Sequence, residues 1–258
     1  GKEPIALLQE RAKMHGFELS LLPVAHPGVE QKATWLQIRQ NKPDYVFLWG
    51  WGVMNSTSLK EAQATGYPRE KMYGVWWSGA EPDVKDVGEG AKGYNALALQ
   101  HGNETGSKVV KEILEKVHAK GQGTGPKEEV GQVLYMRGLI SAMLSVEGVR
   151  AAQARFGKGK RITGEQMRWG LENINLDQKT LDGMGFGGVM RPVQTSCLDH
   201  MGSAWARIHT WDGKKWYFPT SDWYQGDEKV LRPMVINAAS KYADEKKIVR
   251  RTPEDCKK

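Results

Sequence analysis

The sequence predicts an α/β protein with doubly wound, mostly parallel sheets distributed over two lobes. Three observations predict it. Helical and strand periodicities alternate from Pro4 to Ala119. The strand-length apolar runs are bounded by glycine and end in aromatics. A glycine-rich stretch without apolar anchors, Gly121-Gln-Gly-Thr-Gly-Pro126, separates this alternation from a more helical second half.

Each element follows from its local pattern. Pro4 to Gly16 places Ile5, Leu8 and Ala12 at helical spacing, with Gly16 as the stop. Phe17 to Val24 alternates like a strand, and Val29 to Asn41 is a helix ended before Pro43. Asp44 to Trp49 is apolar enough to lie inside a parallel sheet. A helix over Val53 to Thr65, closed by Gly66, then leads to a strand over Lys71 to Trp77. A short helix over Glu81 to Val87, a strand over Gly93 to Leu99 and a helix over Gly106 to Ala119 complete the first half. Beyond the glycine-rich crossing, Lys127 to Phe156 is a long helical stretch, and Thr163 to Asn173 is another that opens on a threonine cap. Val193 to Cys197, Ala204 to Thr210 and Trp216 to Pro219 alternate as strands, with Trp211-Asp-Gly-Lys214 as a hairpin turn. Asp227 to Lys246 is the closing helix, and no internal repeat is present.

Composition narrows the function classes. The chain has 258 residues, 40% of them hydrophobic, which suffices for ordinary cores. Its net charge of +7 arises from Lys and Arg interspersed with Asp and Glu, as in Lys108 to Lys120 and Lys241 to Arg251. Without a basic run interleaved with aromatics, this reads as a solvated surface and no nucleic-acid partner is expected. No run approaches the ~20 apolar residues of a spanning helix, and Gly1-Lys-Glu-Pro4 carries no signal peptide. The opening helix has no strand before it, so the N-terminus reads as cut.

The most informative stretches are Tyr45-Val-Phe-Leu-Trp-Gly-Trp-Gly52 and Met72-Tyr-Gly-Val-Trp-Trp-Ser-Gly79. Each is a buried strand that ends in aromatics and glycine and runs into a helix. In an open α/β sheet the ligand crevice lies beyond the strand C-termini, so these tryptophans stand where a small molecule is held. Packing is the competing role for them. Ser78-Gly-Ala-Glu81 also fits a capping box, and Tyr135 shares an apolar helix face with Leu139.

Other chemistries find weaker support. Gly50-Trp-Gly-Val-Met-Asn55 lies between a strand and a helix, as a dinucleotide loop does, but Asn55 replaces the third glycine and the tryptophan would crowd a pyrophosphate. Gly183-Met-Gly-Phe-Gly-Gly188 has the glycine spacing without the context. Ser196, Asp199 and His200 are triad residue types crowded within five positions, which disfavours a relay. The histidines and cysteines show no metal-ligand spacing, and no cofactor is expected.

Five segments in this order resemble the later part of a type I periplasmic binding protein. They are Tyr45 to Gly52, Trp76-Trp-Ser-Gly-Ala-Glu-Pro-Asp83, Tyr135-Met-Arg-Gly138, Pro192-Val-Gln-Thr-Ser-Cys-Leu-Asp-His200 and Trp211-Asp-Gly-Lys-Lys-Trp216. The branch is the leucine/isoleucine/valine-binding group, which serves ABC importers of branched-chain amino acids and relatives that take up aromatic acids. The resemblance implies a two-lobe fold with the first lobe incomplete. Residues 1–122 then belong to lobe two together with strands at about 203–219, 123–190 return to lobe one, 191–202 form a hinge crossing, and 220–258 are a C-terminal helix and tail. It also implies no catalysis, closure of the lobes on a ligand, a periplasmic location, and the membrane subunits of an ABC transporter as partners. Position by position, Trp51 stands where lobe two places an aromatic against the ligand, with Trp49 beside it. The loop from Trp77 through Ser78 to Glu81 stands where an acid meets the ligand's amino group, and Tyr135 where lobe one's returning helix faces the cleft.

Two further expectations depend on that context. In an oxidising compartment Cys197 and Cys256, which lack a metal or nucleophile setting, are expected to pair as a disulfide. A lobe without its first strands exposes unpaired edges, so this chain alone is expected to fold or bind poorly. A nucleotide-dependent enzyme and a sensory ligand-binding domain of the same fold are the remaining alternatives.

Overall fold

A computed structural model describes residues 1–102, 106–202 and 204–257. In chain order its elements begin with α1 (Ile5–His15), α2 (Lys32–Asn41), β1 (Val46–Leu48), α3 (Val53–Thr65), β2 (Met72–Gly74), α4 (Glu81–Val84), β3 (Asn95–Ala98) and α5 (Lys108–Lys116). They continue with α6 (Val133–Phe156), α7 (Gly164–Leu171), β4 (Asn175–Leu176), α8 (Gln178–Gly183), β5 (Val193–Gln194), β6 (Trp205–Trp211), β7 (Trp216–Tyr217), β8 (Tyr224–Gln225) and α9 (Glu228–Glu245). The chain divides into two compact units. One comprises Gly1–Leu99 with Ala206–Tyr224, the other Gln100–Trp205 with Gln225–Lys258.

The first unit is built on a sheet in the order β1-β2-β3-β6-β7. Strands β1, β2 and β3 run parallel, with Val46 opposite Met72 and Tyr73 opposite Asn95. β6 then pairs antiparallel with β3, and β7 antiparallel with β6, so the sheet is parallel at its start and closes on a hairpin. Trp35 and Ile38 on α2 and Leu59 and Ala62 on α3 are buried. Between them Gln31, 2% exposed, accepts from Ser58 Oγ at 2.6 Å and donates to the carbonyls of Gly28 and Met54. This buried network ties the loop before α2 to α3, with its donors and acceptors mutually satisfied.

The second unit centres on Met136 and Met143 of α6, Ile174, Leu176, Leu181, Phe186 and Val189. α7 opens on the expected threonine: Thr163 Oγ1 accepts from Gln166 N at 3.2 Å, and Gln166 Oε1 accepts from Thr163 N at 2.9 Å. Cys197 and Cys256 are joined as a disulfide, their Cα atoms 5.5 Å apart.

Two expectations change. β1 lies at the edge of the sheet and not inside it, with Tyr45 and Phe47 exposed. Phe17 to Val24 forms no strand; Pro23 cannot donate to a ladder, and Phe17 and Leu21 are exposed. The first unit's leading segment runs to Leu99, because α5 turns its apolar face to the core of the second unit. Val110 is buried there, Val109, Ile113 and Leu114 pack alongside it, and Val109 N donates to Gly185 O at 3.1 Å. From Gln225 the C-terminal helix and tail also belong to that unit. Within the expected spans, Asn103 to Thr105 and Ser203 lie outside the described residues.

The tail is held by charge as well as by the disulfide. Glu172, 5% exposed, accepts two hydrogen bonds from Arg251, Nη1 to Oε1 at 2.5 Å and Nη2 to Oε2 at 3.1 Å, and His200 Nε2 lies 3.2 Å away. The Arg251 hydrogen bonds, and to a lesser degree the charges of Arg251, His200 and Arg168, hold the Glu172 carboxyl below the usual 4.5. A depressed carboxylate contributes stability that is fully present above its unfolded pKa and is lost as pH falls through the lower folded value. Thermal melts taken downward from neutral pH are therefore expected to lose stability below about 4.5. Glu172→Gln is expected to flatten that slope, and parallel acid profiles for both proteins would contradict the assignment. Arg251→Ala leaves the Glu172 carboxylate without its fork and is expected to lower Tm at neutral pH.

Candidate functional site

β1 and β2 are adjacent and parallel, so the loops leaving their C-terminal ends lie side by side. After Leu48 come Trp49, Gly50, Trp51 and Gly52, and α3 starts at Val53. Gly52 adopts φ 58°, ψ −140°, a conformation side chains strongly disfavour, and this allows the turn from Trp51 into the helix. After Gly74, Val75 leads into a tight 3-10 turn over Trp76–Ser78, and α4 begins at Glu81.

The two loops bring the indoles together. The Trp77 ring lies 6.1 Å from Trp49 and 5.7 Å from Trp51, centroid to centroid, with interplanar angles of 78° and 77°. Trp76 is 5.4 Å from Trp77, and the His26 ring is 6.5 Å from Trp51. Although they touch Trp77, Trp49 and Trp51 remain 39% and 48% exposed. Large aromatic surfaces are thus left in water at the C-terminal edge of a parallel sheet, where open α/β folds have their crevice.

Behind the indoles the loops are braced by buried polar groups. Ser78, fully buried, donates from Oγ to Gly50 O at 2.7 Å and so joins one loop to the other. Tyr94 donates its hydroxyl to Ser78 O at 2.9 Å, and burial followed by the Asp83 charge keeps that phenol protonated well above its usual range. Asn55 Nδ2 donates to Trp77 O at 3.1 Å and to Asp83 Oδ1 at 2.8 Å, and Asp83 Oδ2 accepts from Ala80 N at 2.8 Å. Gly79 permits the close approach of this loop to the sheet: a Cβ there would stand 2.6 Å from Ala96 Cβ and 2.7 Å from His209 Nε2. Asn55, Asp83 and Tyr94 were not legible as site residues, because their role depends on partners between 16 and 28 positions away.

The sequence candidates thus separate. Trp49, Trp51 and Trp77 converge, and Glu81 follows half-buried at the first position of α4. The capping assignment shifts: Asp83 reaches back to the Ala80 amide, while Ser78 serves as an internal strut. Tyr135 belongs to the second unit, where it packs against the core around Met136. Asn55, the position that broke the glycine fingerprint, has its side chain committed to Trp77 and Asp83. The triad types engage other groups. Asp199 Oδ2 accepts from Arg232 at 2.6 Å, His200 faces Glu172, and Ser196 Oγ accepts from Asp199 N. Among the described residues no group of His, Cys, Asp or Glu could hold a metal ion, and no helix is long and apolar enough to cross a membrane.

Comparison with solved structures places this arrangement. A structure titled as an ABC transporter permease from the Pseudomonas fluorescens group is 38% identical and superposes with a TM-score of 0.90, covering 98% of this chain and 60% of that one. A branched-chain amino acid ABC transporter protein from Thermus thermophilus with bound valine gives 20% identity and a TM-score of 0.71, covering 90% and 60%. A solute-binding protein from R. palustris in complex with benzoate gives 15% and 0.62, covering 88% and 57%. The chain thus spans about three fifths of the length of the structures it matches. No curated protein matches. The family model described as periplasmic binding protein matches residues 1–215, and this chain belongs to that family.

Proposed function

We propose that this chain provides a large part of an extracytoplasmic solute-binding protein that delivers a small amino acid or an aromatic or carboxylic acid to the membrane subunits of an ABC importer. The observation that carries this reading is the cluster of Trp49, Trp51 and Trp77, exposed at the C-terminal ends of adjacent parallel strands and braced from behind by Ser78, Asn55 and Tyr94. Such a wall binds by contact area and ring electrostatics. Glu81 is the acid we assign to a ligand's amino group, and Tyr135 the contact contributed by the second unit. Binding would act by selecting a closed form of the two units. The disulfide fits an oxidising compartment.

The family supports the role and the solved relatives suggest the ligand range, since one holds valine and another benzoate. Calorimetric titration with branched-chain and aromatic amino acids, benzoate and its hydroxylated derivatives, alanine, a sugar, NAD and ATP tests it. Binding of an amino acid or aromatic acid is expected, with alanine and sugar weaker. Stabilisation by NAD or ATP alone would move the chain to a nucleotide-dependent class.

A further inference from the structure

We infer that the indole wall of the first unit receives a positively charged, alkylated ammonium group, so that the solute is an organic cation or a zwitterion with a bulky ammonium head. This rests on reading the two loops as the ligand wall and goes beyond it by naming the chemistry that the wall selects.

Ring geometry is the first support. Trp77 stands nearly perpendicular to both Trp49 and Trp51, at 78° and 77°, with its centroid 6.1 Å and 5.7 Å from theirs. Only the Trp77 pairs carry this geometry, and a single flat ligand ring is best served by one face or by two parallel faces. Indoles set at right angles instead offer π-faces and edges in different directions, which suits a compact, roughly spherical group touched from several sides. The π-face carries the negative part of the aromatic quadrupole, and tryptophan is the strongest of the rings in this respect. A methylated ammonium spreads its charge over its alkyl groups and gives up its water at low cost, so it gains more from such walls than a hydrated primary amine does.

Charge is the second, independent support. The segments that supply the wall carry no basic residue: Trp49 to Ser58 has no charged side chain, and Trp76 to Val84 has Glu81 and Asp83 alone. This is unusual in a chain of net charge +7. Asp83 is 5% exposed, and Asn55 Nδ2, which binds its carboxylate, also binds the Trp77 carbonyl, so a buried carboxylate lies one hydrogen-bonded side chain from the central indole's backbone. A negative charge in that position attracts a cation at the wall and opposes a carboxylate there. An anionic aromatic acid would meet the half-buried Glu81 carboxylate on these loops, with no Lys or Arg there to offset it.

The test compares choline with 3,3-dimethylbutan-1-ol, which has the same shape without the charge, and adds tetramethylammonium, valine and benzoate, all by calorimetric titration of the protein. Choline is expected to bind about tenfold or more tightly than its neutral isostere, with tetramethylammonium competing. In Trp51→Leu and Trp49→Leu the ratio should collapse towards one, while Trp51→Phe should retain part of it. Circular dichroism of each variant confirms that the fold is intact. Equal binding of choline and the isostere, or binding of valine or benzoate without choline, would overturn the cation assignment and leave the solute-binding role standing. Failure of every one of these small molecules to bind the complete protein, of which this chain is a large part, would overturn both.

Discussion

Removal of the Cys197–Cys256 disulfide is expected to produce the largest loss of stability in the molecule. The bridge closes a loop with a sequence separation of 59, which in the chain-entropy treatment corresponds to about 4 kcal/mol. The loss should be close to that value, because little else secures the segment it anchors. After α9 the chain exposes Ile248 by 53% and Val249 by 94%, so apolar burial contributes little there. The other strong tie is the Arg251 fork on Glu172. The two anchors flank one short segment and are expected to be coupled, so that the loss from Cys256→Ser and that from Arg251→Ala are not additive. Thermal unfolding with and without reductant should show a fall in Tm on the order of 10 °C. An unchanged Tm, or two free thiols titrated in unfolded, unreduced protein, would show that the bridge does not stabilise the folded chain.

The legible and illegible parts of this molecule divide along physical lines. Local rules sufficed for the helices: Gly16 and Gly66 sit in the left-handed region at the ends of α1 and α3, and Thr163 forms its capping box. The meeting of the indoles was legible too, since strand, glycine, tryptophan and helix follow within a dozen residues and the topology then fixes where strand ends lie. What could not be read depended on long-range partners. Phe17 to Val24 alternates like a strand but has no ladder to join, because alternation reports a two-sided environment and not a pairing partner. A glycine-rich stretch such as that after α5 does not report unit membership, which is decided by which core buries Val110. Ser78 was read as a cap from its spacing to Glu81, and only the carbonyl of Gly50, 28 positions earlier, reveals its role as a strut.

Replacing Trp51 by Ala is expected to weaken ligand binding by about 1–3 kcal/mol, or roughly 5- to 150-fold in Kd, while leaving stability little changed. The asymmetry follows from exposure. Trp51 is 48% exposed and makes ring contacts with Trp77 and His26, so about half of its surface is left for a ligand to cover. Trp169 provides the opposite case. It lies on α7 in the second unit, edge to face with Phe156 at 5.5 Å, with the Arg155 guanidinium 4.8 Å over its ring. Its contacts exist without any ligand, so Trp169→Ala should cost about 2 kcal/mol of stability and leave affinity unchanged. Trp77→Ala should behave as a mixture of the two, because it is both part of the wall and the ring against which Trp49 and Trp51 rest. Titration calorimetry and thermal melts on the three variants separate these outcomes. Parent affinity in Trp51→Ala would return the indoles to a packing role, and weakened binding in Trp169→Ala without loss of stability would place the ligand wall in the wrong unit.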